Sequence, residues 1–471
     1  MTKIKFGTDG WRGIIAEDFT FDNVRIVTQA VADYLREDHP ELAEKGVLVG
    51  YDNRFMGEQF ARAAAEVLAG NHIPVKLSDA VVPTPVISYM VPYLNAGAGI
   101  LITASHNPYP FNGFKFKPYF GGSADTETTR AIERRLYQHP PQRLAFDTAC
   151  AEHVIEITDF SPPYVDFCRR MVTLGRNSGR SGKIVVDSMH GAGLNYTARL
   201  LDGLPYTVLT IAGERDAYFG GRDPEPIARN LQPLMARTRQ EKADIGLATD
   251  GDADRIGVVD RQGNFINPHQ VFALLTLHLI KHRRLPGDIV KTISSTQLIN
   301  KIAQKYNREV LVTPVGFKYI CEHMRHRDIV IGGEESGGIG FKGHIPERDG
   351  LLAGLLLLEL IEIEGKPLDL ILADVWAEFG RFYYDRIDAH CADAIKAGVV
   401  PKLQTNPPAD INGVPVVQID DFDGIKFTMA DDSWLLFRPS GTEPVLRLYA
   451  EATSPERVTE LLASAQQLAG I

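Results

Sequence analysis

Cysteine is scarce in this 471-residue chain: Cys150, Cys168, Cys321 and Cys391 lie far apart, with no C-x-x-C pair. That spacing excludes a disulfide framework and predicts reduced, mostly structural thiols. An excess of positive charge is also missing. Fifty Lys and Arg against 60 Asp and Glu leave a formal charge of −10, which argues against a general nucleic-acid binder. A local cluster of Arg and backbone N–H groups could still hold phosphate. The most apolar run, residues 351–358, stops at Glu359 and is far too short to span a bilayer. The opening "MTKIKFGTDGWRG" has neither an apolar h-region nor a small-residue cleavage site, so export is not expected and a cytoplasmic protein is. The sequon at Asn195 then carries no information.

What is present is an ordinary globular composition, 44% hydrophobic and 23% charged, in a chain too long for one core. Strand-like and helix-like patterns alternate. "DNVRIVTQAVADYL" sets Val24, Val27, Val31 and Tyr34 at helical spacing, with Asp22 as a candidate cap. "GVLVGYD" reads as a short buried strand, and "EQFARAAAEVLAG" as a helix that Gly70 can end. "AGILITASHNP", "ADIGLATDGDADR" and "DIVIGGEESGG" each read as a strand running into a polar loop. Three such units suggest a divergent internal triplication, with every loop at a strand's carboxyl end, where open α/β sheets bind ligands. The helix pattern at 350–363 is apolar nearly all round and predicts burial between layers.

From "VPVVQID" onward the pattern changes to consecutive strands, then a helix with Ser454 as cap and Pro455 in its first turn. The fold expected is therefore α/β: three related α/β domains (1–155, 156–258, 259–372) plus a C-terminal α+β domain (373–471). "TNPPADINGVP" reads as a surface loop of that last domain.

"DGDADR" is the most informative loop. Asp250, Asp252 and Asp254 alternate, so in an extended segment they project to one side. Three carboxylates held together call for a cation, and an all-oxygen set suits Mg²⁺. An Asp-rich turn is the plainer reading. An EF-hand loop is not possible, because Arg255 and Arg261 stand where Gly and Glu are needed. In "TASHNP", Ser105 next to a metal site could carry a phosphoryl group, although Ser and Asn are also common turn residues. It lacks the G-x-S-x-G elbow.

In "NGFKFKPYFGG", alternation sends Lys115 and Lys117 to one face; either is a solvated lysine or, with a lowered pKa, an acid or base. "GGEESGG" pairs Glu334 and Glu335 with Ser336, a combination that can hold sugar hydroxyls or simply form a Gly-rich turn. "RPSGTEP" sets Arg438, Ser440 and Thr442 around Gly441, a phosphate nest or a hairpin turn. Neither "GK" is followed by Ser or Thr, so there is no P-loop.

Together, "TASHNP", "DGDADR", "GEESGG" and "RPSGTEP", in this order and with "FGTDGWRG" and "NGFKF", resemble the α-D-phosphohexomutase superfamily from Phe6 to the C-terminus. The resemblance implies four domains around a central cleft and interconversion of hexose 1- and 6-phosphates through a phosphoserine and a bisphosphorylated sugar. Ser105 would carry the phosphoryl group. Mg²⁺ would be held by its phosphate with Asp250, Asp252 and Asp254. Arg438, Ser440, Gly441 and Thr442 would grip the phosphate that is not reacting, and Glu334 and Ser336 the sugar. Arg12 and Lys115 match positions near the reacting phosphoryl, Lys115 as an acid or base, with His106 and Arg255 as helpers.

The bacterial phosphomannomutase/phosphoglucomutase branch reads "GEMSGH", and its histidine position is Gly338 here; His344 and Lys342 are candidates for the vacant role. "TPVGFKY" is similar to the "PTGWK" of dedicated phosphoglucomutases, which gives Lys318 a part in binding substrate phosphate. "GEESGG" also departs from the "GGEQSGH" of phosphoglucosamine mutases. These departures favour glucose phosphate over mannose phosphate, with glucose 1,6-bisphosphate as activator. The expected partner is a small sugar phosphate, with no nucleic acid or membrane, acting on a monomer or dimer. A metal-dependent phosphatase and a non-catalytic sugar-phosphate sensor are the rival classes.

Overall fold

The computed structural model describes residues 4–7, 9–175, 181–440 and 445–471. They fall into two compact units: residues 1–286 with 316–371, and residues 287–315 with 372–471.

In the first unit a six-stranded sheet is ordered Trp11–Ile14, Phe111–Pro118, Ala98–Ile102, Val47–Tyr51, Val75–Ser78, Ile155–Thr158. The last four run parallel, and Phe111–Pro118 runs antiparallel to both its neighbours. Val47–Tyr51 and Ala98–Ile102 are buried at every position, which is why they read as continuous apolar runs rather than alternating ones. The helix Phe21–Asp38 buries Val24, Val27 and Val31 as its spacing predicts, but its cap is Thr20, which accepts from the Asn23 N–H, and not Asp22. Phe60, on the helix Gly57–Gly70, meets Phe19 and Phe21 at 4.8 and 4.5 Å between ring centroids. Phe19 and Phe60, both fully buried, each contribute about 1.5–3 kcal/mol.

A second sheet is ordered Phe265–Ile266, Ile256–Asp260, Ile245–Thr249, Gly182–Asp187, Tyr206–Ile211, parallel over its last three strands. The hairpin Ile329–Gly333 with Ile339–Phe341 and the helix Gly350–Glu364 complete this unit. Asp349 caps that helix through the Leu352 N–H, and residues 350–361 are all buried, in line with its all-round apolarity.

In the second unit, the parallel pair Asp288–Thr292 and Val310–Thr313 belongs with the C-terminal elements, so the segment 259–372 contributes to both units. There an all-antiparallel sheet runs Tyr383–His390, Val445–Ala452, Trp434–Pro439, Ile425–Met429, Val414–Asp420, Asp410–Ile411. Ser454 caps the helix Pro455–Ala469 as expected. The expected loop 405–415 holds a tight hairpin instead: Asp410–Ile411 pairs with Val414 and Pro415. Asn412 and Gly413 both take positive φ at its tip, the usual reason for an Asn-Gly turn.

Ile293 packs in this unit with Trp434, Leu436 and Tyr449. Two buried lysines lie beside that cluster. Lys426 Nζ sits 4.0 Å from the Trp434 ring centroid and donates to the Ile293 carbonyl; Lys291 Nζ donates to that of Thr296. Burial, reinforced by Lys426 and opposed by Glu451 and Asp420, brings the Lys291 ammonium down to about 7.

All four cysteines are free. Among the described residues no helix is long and apolar enough to cross a membrane.

Candidate active site

The buried strand Ala98–Ile102 runs out into the serine loop, residues 103–108. Ser105 adopts φ +53°, uncommon for a residue with a side chain, so neighbours must hold it there. Arg54 does most of that. Its guanidinium donates to the carbonyls of Ser105 (2.6 Å), Asn107 (2.7 Å), Pro108 (3.0 Å) and Phe111 (2.9 Å). Its Nε pairs with Asp52 at 3.2 Å, and Asp52 also accepts from Thr103 Oγ1. Only a rigid five-donor fork can serve so many acceptors at once. Nothing in "YDNRF" marks Arg54 for this before the contacts are known; its place after a buried strand is the one signal.

The aspartate loop follows the strand Ile245–Thr249. Asp250, Asp252 and Asp254 are all fully buried, with one oxygen of each within 4.8 Å of the others. Ser105 Oγ donates to Asp250 Oδ2 at 2.8 Å. Thr84 Oγ1 donates to Asp252, and the Arg255 N–H to Asp250 Oδ1 at 3.1 Å. The loops approach so closely that a Cβ on Gly251 would fall against the Ser105 carbonyl oxygen. Burial and its two neighbours push the Asp250 carboxyl up, while at Asp252 burial is outweighed by Lys115, which holds that carboxyl down. Asp252 Oδ1 and Asp254 Oδ1 are buried without a hydrogen-bond partner among the described residues. Two carboxylate oxygens that accept no hydrogen bond, one of them 4.0 Å from the Arg255 Nε, in an all-oxygen cluster suit a hard divalent cation such as Mg²⁺.

Lys115 Nζ lies 2.7 Å from Asp9, 2.8 Å from Asp252 and 3.0 Å from Asp254. Burial alone would lower its ammonium, but these carboxylates outweigh burial and hold it well above the ordinary lysine value. A lowered pKa, the condition for a basic role, is therefore not what the site provides. Its neighbour on the same face, Lys117, pairs with Glu347 at 2.5 Å and Asp9 at 3.4 Å.

The glutamate loop joins the aspartate loop through a bridge between Arg255 and Gly338, with the Ile256 N–H donating to the Gly337 carbonyl. Burial, against the opposing pull of Arg348, raises the Glu334 carboxyl to about 7. Ser336 Oγ is buried and has no hydrogen-bond partner among the described residues. Arg348, which the sequence alone does not single out, ties these parts together. Its guanidinium reaches Asp254 (2.8 Å), Asp9 (2.5 Å), Glu347 (3.2 Å) and Glu334 (3.6 Å). Asp9 and Arg348 each neighbour a recognisable motif, "FGTDG" and the cap of helix Gly350–Glu364, but their meeting depends on long-range folding.

The remaining expected residues are placed as follows. His106 Nδ1 is 3.5 Å from Ser105 Oγ, and burial, then Arg255 and Arg12, lower its pKa well below the ordinary value, so it is neutral. Arg12, on the strand Trp11–Ile14, donates to Asn107 Oδ1 of the serine loop. Lys318 Nζ donates to Thr126 Oγ1 at 3.1 Å and has Arg130 nearby; the partners of Ser105 and the aspartates are other groups. His344 does not reach the place vacated at Gly338: its side chain is fully buried, bonded to Asp349 at 2.9 Å and packed on Phe167. Lys342 is engaged with Asp328 and the Pro286 carbonyl. In the second unit Arg438 pairs with Asp423 at 2.8 Å, and the Ser440 N–H donates to the Val445 carbonyl. Gly441 and Thr442 lie outside the described residues.

Family models match most of the chain. Those described as phosphoglucomutase/phosphomannomutase alpha/beta/alpha domains I, II and III match residues 3–142, 162–263 and 267–379, and the C-terminal domain model matches 392–467. A "Phosphoglucomutase/phosphomannomutase" of Thermococcus kodakarensis is 30% identical over 97% of this chain and 96% of its own. A "Probable phosphoglucosamine mutase" of Methanosphaera stadtmanae is 31% identical over 97% and 96%. The solved structure of a protein from Thermus thermophilus, 37% identical, matches with a TM-score of 0.87 over 100% of both chains.

Proposed function

The chain belongs to the α-D-phosphohexomutase superfamily, with its four-domain α/β architecture, and from that premise we propose that it interconverts glucose 1-phosphate and glucose 6-phosphate through phosphorylated Ser105. The observation that carries this reading is the 2.8 Å hydrogen bond from Ser105 Oγ to Asp250, beside oxygens of Asp252 and Asp254 that accept no hydrogen bond among the described residues.

In the first half of the reaction a sugar hydroxyl oxygen bonds the phosphorus of phosphoserine, the bond to Ser105 Oγ breaks, and the proton lost by the sugar hydroxyl is delivered to Oγ, which is left as the hydroxyl that donates to Asp250. In the second half the other phosphate of the bisphosphorylated sugar returns to Oγ, so no phosphate is lost. His106 lies with Nδ1 3.5 Å from Oγ, where it can orient that oxygen by a hydrogen bond, while burial and the surrounding arginines disfavour its charged form. Lys115, held charged by its carboxylates, offsets negative charge on the moving phosphoryl rather than acting as a base. Arg12 fixes the serine loop through Asn107, and Arg255 braces Asp250 through its N–H.

Asp250, Asp252 and Asp254 would hold Mg²⁺, which when bound polarises the phosphoryl oxygens. The Ser336 hydroxyl, buried and unpartnered next to Glu334, suits sugar hydroxyls. Arg438, Ser440, Gly441 and Thr442 are assigned the phosphate that is not reacting, and Lys318 with its neighbour Arg130 a share of substrate phosphate. Glucose is chosen as the sugar because Gly338 departs from the "GEMSGH" of the phosphomannomutase/phosphoglucomutase branch and "TPVGFKY" is similar to the "PTGWK" of dedicated phosphoglucomutases; relatives bear names of more than one sugar.

The test is incubation with glucose 1-phosphate, Mg²⁺ and a trace of glucose 1,6-bisphosphate, which should yield glucose 6-phosphate. Release of inorganic phosphate without isomerisation would replace this reading by a phosphatase. Comparing kcat/KM for glucose, mannose and glucosamine 1-phosphates decides the sugar.

A further inference from the structure

Every N–H of the Arg54 guanidinium is in use. Nε serves Asp52, one terminal nitrogen serves the Pro108 and Phe111 carbonyls, and the other serves those of Ser105 and Asn107. Hydrogen bonds in the plane leave a flat group one weak direction, a tilt out of that plane. The Phe219 ring packs there, its centroid 4.9 Å from the guanidinium carbon; with the edges taken, it can only meet a face. We infer that Phe219 is a positioning residue for phosphoryl transfer: it keeps Arg54 from tilting, and through Arg54 it holds Ser105 at φ +53°. The inference rests on Ser105 as the phosphoryl carrier.

The backbone supports it. Phe219 itself adopts φ +53°, a left-handed conformation that is a genuine outlier for a bulky side chain. Such strain persists where the surroundings over-determine it, and it gathers where geometry matters to function. Asp216 grips the turn on both sides of Phe219, accepting from the Tyr218 N–H at 2.8 Å and the Gly220 N–H at 3.1 Å. Arg222 closes the turn, forking onto Asp187 at 3.0 and 3.2 Å and donating to the Asn230 carbonyl at 2.7 Å.

The turn is also registered against the segment that carries Arg54. It follows the strand Tyr206–Ile211, and the residues around His190 follow the neighbouring strand Gly182–Asp187. The His190 N–H donates to the Ala212 carbonyl at 2.8 Å. Asn53 Nδ2 donates in turn to the carbonyls of His190 and Gly191, at 2.8 and 2.9 Å. Residues 53 and 54 thus meet two loop ends of the second sheet, Asn53 by hydrogen bonds and Arg54 by the ring.

Filling space does not require this arrangement. A side chain that only packed the interior could do so from an ordinary φ, and an aliphatic one would serve. A guanidinium, by contrast, is steadied best by a flat aromatic face. Phe219 is 1% exposed, so it acts through Arg54 and not on the substrate.

The experiment is Phe219→Met, which stays apolar and adapts to a core but offers no flat face. kcat for isomerisation of glucose 1-phosphate should fall by about tenfold, since small misplacements of a reacting oxygen are costly, while KM stays within roughly twofold. In an Arg54→Lys background the same substitution should lower kcat by less than about twofold, because the fork it steadies is gone. Hydrogen exchange on the intact, substrate-free protein supplies a readout independent of activity. Amides of residues 103–111 should exchange about tenfold faster in Phe219→Met, with the helix Phe21–Asp38 unchanged. Asp216→Ala, which releases the turn without removing a buried side chain, should speed the same amides and so covers the case in which Phe219→Met does not fold. Wild-type kcat in Phe219→Met, or an equal fall in both backgrounds, would overturn the inference. So would serine-loop exchange that neither substitution alters, even if exchange rises in residues 182–260. Should the wild-type protein isomerise no sugar phosphate, the proposed function falls, and the exchange measurements alone decide what Phe219 does.

Discussion

Arg348 Cδ occupies the space into which a side chain at Gly338 would project. The guanidinium beyond it faces Asp9, Asp254, Glu334 and Glu347. The position where related enzymes carry a histidine is thus filled from ten residues further along the chain, by a group that is permanently charged and cannot pass a proton.

Gly338→His should therefore impair the enzyme rather than restore a lost function. The imidazole displaces Arg348 and leaves buried carboxylates unpaired, so kcat/KM should fall by about 100-fold, as for other displacements on the order of 1 Å in an active site. Arg348→Met should lower the unfolding midpoint as well, since breaking a buried ion pair costs about 3–5 kcal/mol. A fully active Gly338→His enzyme would show that Arg348 can leave its place freely.

Ser105→Ala should abolish turnover and the incorporation of labelled phosphate from glucose 1,6-bisphosphate, with the melting temperature nearly unchanged. The loop is held by Arg54 through backbone carbonyls, so the hydroxyl is not needed to shape it. Label retained on the alanine variant would move the phosphoryl carrier to another residue.

The serine loop, the aspartate trio and the glutamate loop are readable because each is a short run of polar residues placed by one strand end. Ser105, Asp250, Asp252 and Asp254 do meet where strand topology suggests, but the aspartates converge through a turn with Ala253 at φ +60° and not through the alternation of an extended segment. Arg54, Asp9, Lys117, Glu347 and Arg348 are not readable in that way. Each is a single charged residue whose burial and partners arise from segments up to 339 positions apart. Lys115 shows the same limit: alternation gives its face, but whether its pKa falls or rises depends on three carboxylates from two other loops. Helix capping fails over a smaller distance, where Thr20 at the chain's entry angle outcompetes Asp22.

Gly251→Ala tests how closely the serine and aspartate loops must approach. The added methyl meets the Ser105 carbonyl oxygen, which is already fixed by Arg54, so backbone must shift. A loss of about 100-fold in kcat is expected, with secondary structure by circular dichroism unchanged. Wild-type kcat in this variant would show that the loops can separate without cost.

Lys291→Met should stabilise the second unit, and the gain should depend on pH. The folded-state pKa of about 7 lies below the ordinary lysine value. At pH 6 the folded protein carries the full cost of a buried charge, on the order of 1.4 kcal/mol per unit of depression. Above pH 7 the folded state sheds that proton before the unfolded chain does, so wild-type stability climbs towards pH 10. The advantage of the methionine variant, followed by thermal unfolding, should be largest near pH 6 and fade by pH 10. A gain that does not vary with pH would mean that packing, not charge, is what the substitution changed.

The second unit draws on two stretches of chain, residues 287–315 and 372–471, and Ile293 from the first stretch is sealed under Trp434 and Tyr449 from the second. A C-terminal deletion at residue 372 is therefore no clean excision. It would strip the cover from Ile293 and from Lys291, leaving a sticky apolar scar with a stranded ammonium beside it. Shortened products, whether from proteolysis or from premature termination, should accordingly be poorly soluble, which makes the last hundred residues a quality check on full-length synthesis.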